Sequence, residues 1–214
     1  MDFKEFTKEL WQVGILPVVC PENETEVDTL IKAVENTPIK ALEITLRHPY
    51  APEAIKRIKE KCPTFTVGAG TVVNPEALDA AISAGADFCV SPGFDEELVN
   101  AAKTRNIPFL PGCATPSEIQ RAVFLGAKTV KFFPAECMGG TKALKLYKGA
   151  FSDVMFVPTG GITMDNLKDY LDCPNVASCG GSFMCPRGQL AAGDSDGIRE
   201  AILKCTAIRG AVIS

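Results

Sequence analysis

The chain has 214 residues, 46% hydrophobic and 22% charged, enough apolar material for the core of one large domain or two small ones. A net charge of -4 gives no electrostatic case for nucleic acid or an anionic membrane as partner, and no apolar run is long enough to span a bilayer. Residues 1–10 are charged and amphipathic without a signal-peptide core, so a cytoplasmic protein is expected.

Short apolar runs recur along the chain at 15–19, 41–46, 65–70, 88–91, 109–112, 129–134, 155–159 and 176–180. Between them lie stretches of helical period at 24–35, 52–61, 75–84, 96–105, 116–125, 142–147, 164–171 and 195–205. Asn74-Pro75, Thr115-Pro116, Gly85, Gly126 and Asp194-Ser195 supply start and stop signals at several boundaries. Strands alternating with helices require a parallel sheet with right-handed crossovers. The repeat count is that of a single (β/α)8 TIM barrel spanning residues 1–214, and no linker divides it. An extra N-terminal helix over residues 3–12 would plug the bottom of that barrel. A doubly wound sheet would want a glycine-rich turn after its first strand, and Val19-Cys20-Pro21-Glu22 is not one. The paired glycines stand late instead, at Gly160-Gly161 and Gly180-Gly181, after the seventh and eighth strands, where a barrel commonly holds phosphate.

Nine cysteines occur without a C-x-x-C pair, mostly in apolar runs, and read as small buried hydrophobes. The only histidine is His48, so a zinc site built on several histidines is not available, and no metal or cofactor is expected.

Two strands break the apolar rule. In Ala41-Leu42-Glu43-Ile44-Thr45-Leu46-Arg47, alternation puts Leu42, Ile44 and Leu46 under helices and Glu43, Thr45 and Arg47 on the inner face. In the run from Thr129 to Glu136 it puts Thr129, Lys131 and Phe133 on one face and Val130 and Phe132 on the other. A lysine snorkelling to solvent from a strand end, or a Glu–Arg pair on an exposed edge strand, would be the structural explanation of such residues. Closure of a barrel leaves no edge, and polar side chains at the C-terminal ends of its strands are where the fold does chemistry.

Burial penalises the charged form of an amine, and a neutral amine is a nucleophile. Lys131 beside Glu43 therefore suggests attack on a ketone to give a carbinolamine and then a protonated Schiff base, an electron sink for carbon–carbon cleavage, with Glu43 moving the protons. Arg47 offers a two-pronged donor for a substrate carboxylate, and Thr71 a hydroxyl for the same group. Gly160-Gly161 and Gly180-Gly181-Ser182 let backbone N–H groups approach a phosphate. Two other readings stand beside this one. A non-covalent phosphate-binding barrel isomerase or transferase would have no need of Lys131, and a sugar-phosphate-binding protein would not need Lys131 and Glu43 together.

The stretches Leu42-Glu43-Ile44-Thr45-Leu46-Arg47, Gly68-Ala69-Gly70-Thr71-Val72, Val90-Ser91-Pro92-Gly93, Lys131-Phe132-Phe133-Pro134-Ala135-Glu136, Pro158-Thr159-Gly160-Gly161-Ile162 and Gly180-Gly181-Ser182 resemble the KDPG/KHG aldolase family of class I aldolases. The resemblance runs in order from about residue 15 to residue 205. It implies cleavage of 2-dehydro-3-deoxy-6-phosphogluconate, and of 4-hydroxy-2-oxoglutarate, through a Schiff base on Lys131 with Glu43 as general acid/base. It further implies that Arg47 and Thr71 hold the pyruvate carboxylate, that Phe133 packs near the imine and that Pro92 lines the site. Thr159 would set the preference for the gluconate-type epimer, and Gly160, Gly161, Gly181 and Ser182 would take the phosphate. A metal-free homotrimer acting on a small keto acid is the expected assembly. Cys113, Cys137-Met138, Cys179 and Phe183 are mild departures, and residues 206–214 lie outside what the resemblance explains.

Overall fold

The computed structural model describes residue 10 and residues 12–213. Strands and helices alternate as β1 (Ile15–Val19), α1 (Glu24–Val34), β2 (Ala41–Thr45), α2 (Ala51–Lys61), β3 (Thr66–Gly70), α3 (Pro75–Ser83), β4 (Phe88–Val90) and α4 (Glu96–Thr104). They continue as β5 (Phe109–Leu110), β6 (Gly112–Cys113), α5 (Pro116–Phe124), β7 (Thr129–Phe132), α6 (Gly140–Ala150), β8 (Met155–Pro158), α7 (Leu167–Leu171), β9 (Cys179–Gly181), α8 (Arg187–Ala191) and α9 (Ser195–Ile213). Helix starts follow side-chain chemistry. Asn23, Asn74 and Asp95 each accept from a backbone N–H of the first turn, and Thr115 with Glu118 forms a reciprocal capping box.

The result is an α/β fold with a curled parallel sheet. One sheet runs β5-β4-β3-β2-β1-β9 and the other β6-β7-β8, every strand pair parallel. Pro111 separates β5 from β6, so the run expected at 109–112 is two short strands. The first pairs with β4 and the second with β7, and Pro111 has no N–H to give a ladder. The expected last strand is likewise shared between partners. Phe156 bridges Val176, whereas Cys179–Gly181 pairs with β1, with one further bridge between Thr159 and Gly180.

Alternation along the strands separates two cores. Leu42 and Ile44 of β2, Val130 and Phe132 of β7, and Phe156 of β8 face the helices in the larger cluster. A smaller cluster of Leu10, Leu16, Ala41, Phe88, Val90, Leu110, Val157 and Ala177 fills the inside of the curl. Ala41 shares its face with Glu43 and Thr45, so the inner face is apolar near the start of β2 and polar at its end. The helix expected over residues 3–12 lies almost wholly outside the described residues. Leu10 is buried in the inner cluster, and its carbonyl accepts from Gly14 N–H at 2.8 Å.

Three differences from the sequence reading have local causes. Strand β2 ends at Thr45, so Arg47 stands in the following turn and not on the strand. Helix α8 carries a glycine among five residues and gave no periodic signal. Helix α9 continues past residue 205 to Ile213: Ile198, Ile202 and Cys205 are buried along it, and beyond them Arg209 is buried too, its Nη1 reaching the Leu171 carbonyl at 3.3 Å.

All nine cysteines are free thiols. Six are buried, Cys20 and Cys62 are half-buried and Cys137 is exposed. Burial pushes Cys89, Cys113, Cys185 and Cys205 up to about 12, which makes them packing residues at neutral pH. Phe132 anchors an aromatic cluster under α6, edge-on to Tyr147 and Phe156 at centroid distances of 5.9 and 6.4 Å. Phe132→Ala is expected to lower unfolding free energy by about 3–5 kcal/mol, read from urea denaturation; a loss below ~1 kcal/mol would show that the cluster repacks around the gap.

Candidate active site

The polar ends of the strands surround a cavity of about 300 Å³. Its lining contains all eleven residues singled out from sequence: Glu43, Arg47, Thr71, Pro92, Lys131, Phe133, Thr159, Gly160, Gly161, Gly181 and Ser182. At its centre Lys131 Nζ donates to Glu43 Oε1 at 3.1 Å, with side chains only 7% and 2% exposed. The two residues are 88 positions apart in sequence, and the curl brings β2 and β7 face to face. Space for the carboxylate is made by Gly70, where an added Cβ would fall 2.1 Å from Glu43 Oε1. The lysine ammonium also sits 5.5 Å from the centre of the Phe133 ring.

Arg47 is exposed at the cavity mouth, and its Nε donates to Thr45 Oγ1 at 3.1 Å. Thr45 Oγ1 in turn reaches the Val19 carbonyl at 3.4 Å, so β1 and β2 together orient the guanidinium. Thr71 follows β3 with φ of 61°, a left-handed conformation that a β-branched residue adopts only under strain. That backbone turn carries its hydroxyl-bearing side chain to the cavity wall. Pro92 is fixed from below: Ser91 Oγ donates to Gly93 O and accepts from Gly112 N–H.

Thr159 directly follows β8 and is buried, and its Oγ1 has no hydrogen-bond partner among the described residues. A hydroxyl left unpaired inside a pocket is costly unless a ligand completes it. Gly160 and Gly161 follow with φ of 96° and 80°, and Gly181 and Ser182 complete the same wall. Chemically the cavity offers an amine, a carboxylate, a guanidinium, hydroxyls and backbone N–H groups.

Sequence reasoning missed Val18 and Ile162 as lining residues and gave Thr45 a face but no role. Val18 was legible in principle, since it alternates with Leu16 on the inner face and pairs in register with Glu43.

A sequence model described as KDPG and KHG aldolase matches residues 7–201. The chain is 43% identical over 183 residues to the 2-dehydro-3-deoxy-phosphogluconate aldolase of Pseudomonas aeruginosa, covering 86% of this chain and 83% of that one. It is also 43% identical over 192 residues to the KHG/KDPG aldolase of Escherichia coli strain K12, covering 88% and 90%. The crystal structure of KDPG aldolase from Legionella pneumophila, with pyruvate captured as a covalent carbinolamine intermediate, superposes with a TM-score of 0.89 at 35% identity. It covers 92% of this chain and 96% of that one. This chain belongs to the KDPG and KHG aldolase family.

Proposed function

We propose that this protein is a class I aldolase that cleaves 2-dehydro-3-deoxy-6-phosphogluconate to pyruvate and glyceraldehyde 3-phosphate, with 4-hydroxy-2-oxoglutarate as a second substrate. The observation that carries the proposal is the buried contact between Lys131 Nζ and Glu43 Oε1 at 3.1 Å. The non-covalent isomerase or transferase has no use for that amine.

The geometry fits the following sequence. The amine of Lys131 attacks the C2 ketone, and Glu43 is the acid/base within reach of the protons that move as the carbinolamine forms and loses water. The product is an iminium between Nζ and C2. Glu43 as carboxylate then takes the proton of the C4 hydroxyl. The C3–C4 bond breaks, its electron pair flows into the iminium to give an enamine, and the aldehyde leaves. Glu43 returns the proton to C3, and water hydrolyses the pyruvate iminium to restore the free lysine. Arg47 and Thr71 hold the pyruvyl carboxylate at the mouth and side of the cavity, and Phe133 covers the imine. Thr159 Oγ1, unpaired and buried, is placed to bond a substrate hydroxyl, which suits selection between C4 epimers. Backbone N–H groups of the Gly160-Gly161 and Gly181-Ser182 turns take the phosphate.

We read the curled sheet as a single closed (β/α)8 barrel, one domain with an extra N-terminal helix. The split strand β5/β6, which pairs on both sides, and the bridges from Phe156 of β8 to Val176 and from Thr159 just after it to Gly180 support closure. We further propose a metal- and cofactor-free homotrimer working in the cytoplasm. Phe124 and Leu146, 77% and 76% exposed, support a subunit contact. Among the described residues no helix is long and apolar enough to cross a membrane.

Three outcomes test the chemistry. Incubation with pyruvate and borohydride should add one reduced pyruvyl mass, localised by digestion to Lys131, and Lys131→Ala should abolish both the adduct and turnover while keeping the native circular dichroism. An unlabelled, folded wild type would remove the Schiff base. Glu43→Gln is expected to lower kcat by about 10²–10⁴-fold with little change in KM; a rise in KM alone would make Glu43 a binding residue. Thr159→Val should cut the kcat/KM preference for the gluconate-type over the galactonate-type epimer by roughly five- to tenfold, the worth of about one hydrogen bond. An unchanged ratio would place selection elsewhere.

A further inference from the structure

Glu136 closes the motif that contains Lys131, yet it does not line the cavity. It stands behind the Gly160-Gly161 turn and is tied to it through both main chain and side chain. Glu136 N–H donates to the Gly160 carbonyl at 3.1 Å. Asn166 Nδ2 bridges the Gly161 carbonyl at 3.1 Å and Glu136 Oε2 at 3.4 Å. Tyr170, buried in the core on α7, donates its hydroxyl to the same oxygen at 2.6 Å. Burial and the hydrogen bond to the Glu136 carboxylate push the Tyr170 phenol up, so it stays a donor throughout the working range of pH. Packing is equally close, because a Cβ on Gly161 would fall 2.5 Å from Glu136 Cβ.

These contacts have a directional consequence. A trans peptide points its N–H opposite to its C=O. With the carbonyls of Gly160 and Gly161 drawn toward Glu136 and its partner Asn166, the N–H groups of Gly161 and Ile162 turn the other way. Gly160, Gly161 and Ile162 line the cavity, and Glu136 lies outside its lining.

We propose that Glu136, held by Tyr170 and Asn166, is a positioning residue that orients the Gly160-Gly161 turn and so sets the preference for phosphorylated over phosphate-free keto acids; this rests on the reading of that turn as the phosphate site. The negative charge of Glu136 opposes a phosphate, so its role lies in accepting hydrogen bonds. Glutamine, which keeps an acceptor oxygen without the charge, should substitute for it.

The test compares wild type, Glu136→Ala, Glu136→Gln and Tyr170→Phe on 2-dehydro-3-deoxy-6-phosphogluconate and on 4-hydroxy-2-oxoglutarate, with inorganic phosphate as a competing ligand. Glu136→Ala is expected to raise KM for the phosphorylated substrate about tenfold or more, weaken inhibition by inorganic phosphate in parallel and leave kcat/KM for the phosphate-free substrate within about twofold. Glu136→Gln should restore wild-type KM, and Tyr170→Phe, which keeps the ring in the core, should shift KM in the same direction as alanine by a smaller factor. Equal losses on both substrates, or no change in KM with Glu136→Ala and Tyr170→Phe, would overturn the positioning role. If inorganic phosphate fails to compete even in wild type, the phosphate reading of the turn fails first, and the proposal falls with it.

Discussion

The buried pair of Lys131 and Glu43 is the constraint from which the rest of the architecture follows. Removing an ammonium and a carboxylate from water costs several kcal/mol per ion, and their attraction in the interior seldom returns more than that cost. Such a pair is therefore a poor way to stabilise a fold and a good way to hold a nucleophile beside its proton carrier. Its presence demands that β2 and β7 face each other across the curl and that Gly70 lack a side chain. The chain belongs to the KDPG and KHG aldolase family, and both demands are met here.

The site was legible because parallel strands buried on both faces should be apolar throughout. Glu43 and Lys131 violate that rule on the face opposite Leu42, Ile44, Val130 and Phe132, and alternation alone assigned the faces correctly. Gly160, Gly161 and Gly181 stand in the cavity wall, as their order along the chain suggested, while Gly180 does not line it. Less visible was anything that depends on where a strand stops. Arg47 reaches the cavity from a turn, where alternation has no force, and its orientation comes from Thr45. The break at Pro111 was hidden within an otherwise apolar run, as the ladder it interrupts involves partners distant in sequence. Val18 carries no chemical signal of its own, and only its register with Glu43 makes it a wall of the site.

Glu136 illustrates a different limit. As a residue it is an exposed carboxylate at the end of a motif, and in sequence nothing distinguishes it from a solvated charge. Its significance comes from three partners on later elements, Gly160, Asn166 and Tyr170, which meet only after β8 and α7 have packed. Motifs name the groups that touch substrate more readily than the groups that aim them.

The two-storey interior has a consequence for how such a protein can change over time. Inside the curl, the lower storey of Leu16, Ala41, Phe88, Val90, Leu110 and Val157 carries cohesion, while the upper storey carries Lys131, Glu43 and the walls of the cavity. Replacements in the upper storey do not remove the packing beneath it. A residue of the cavity wall, such as Thr159, can therefore be exchanged while the buried Lys131–Glu43 pair and the scaffold beneath it are retained.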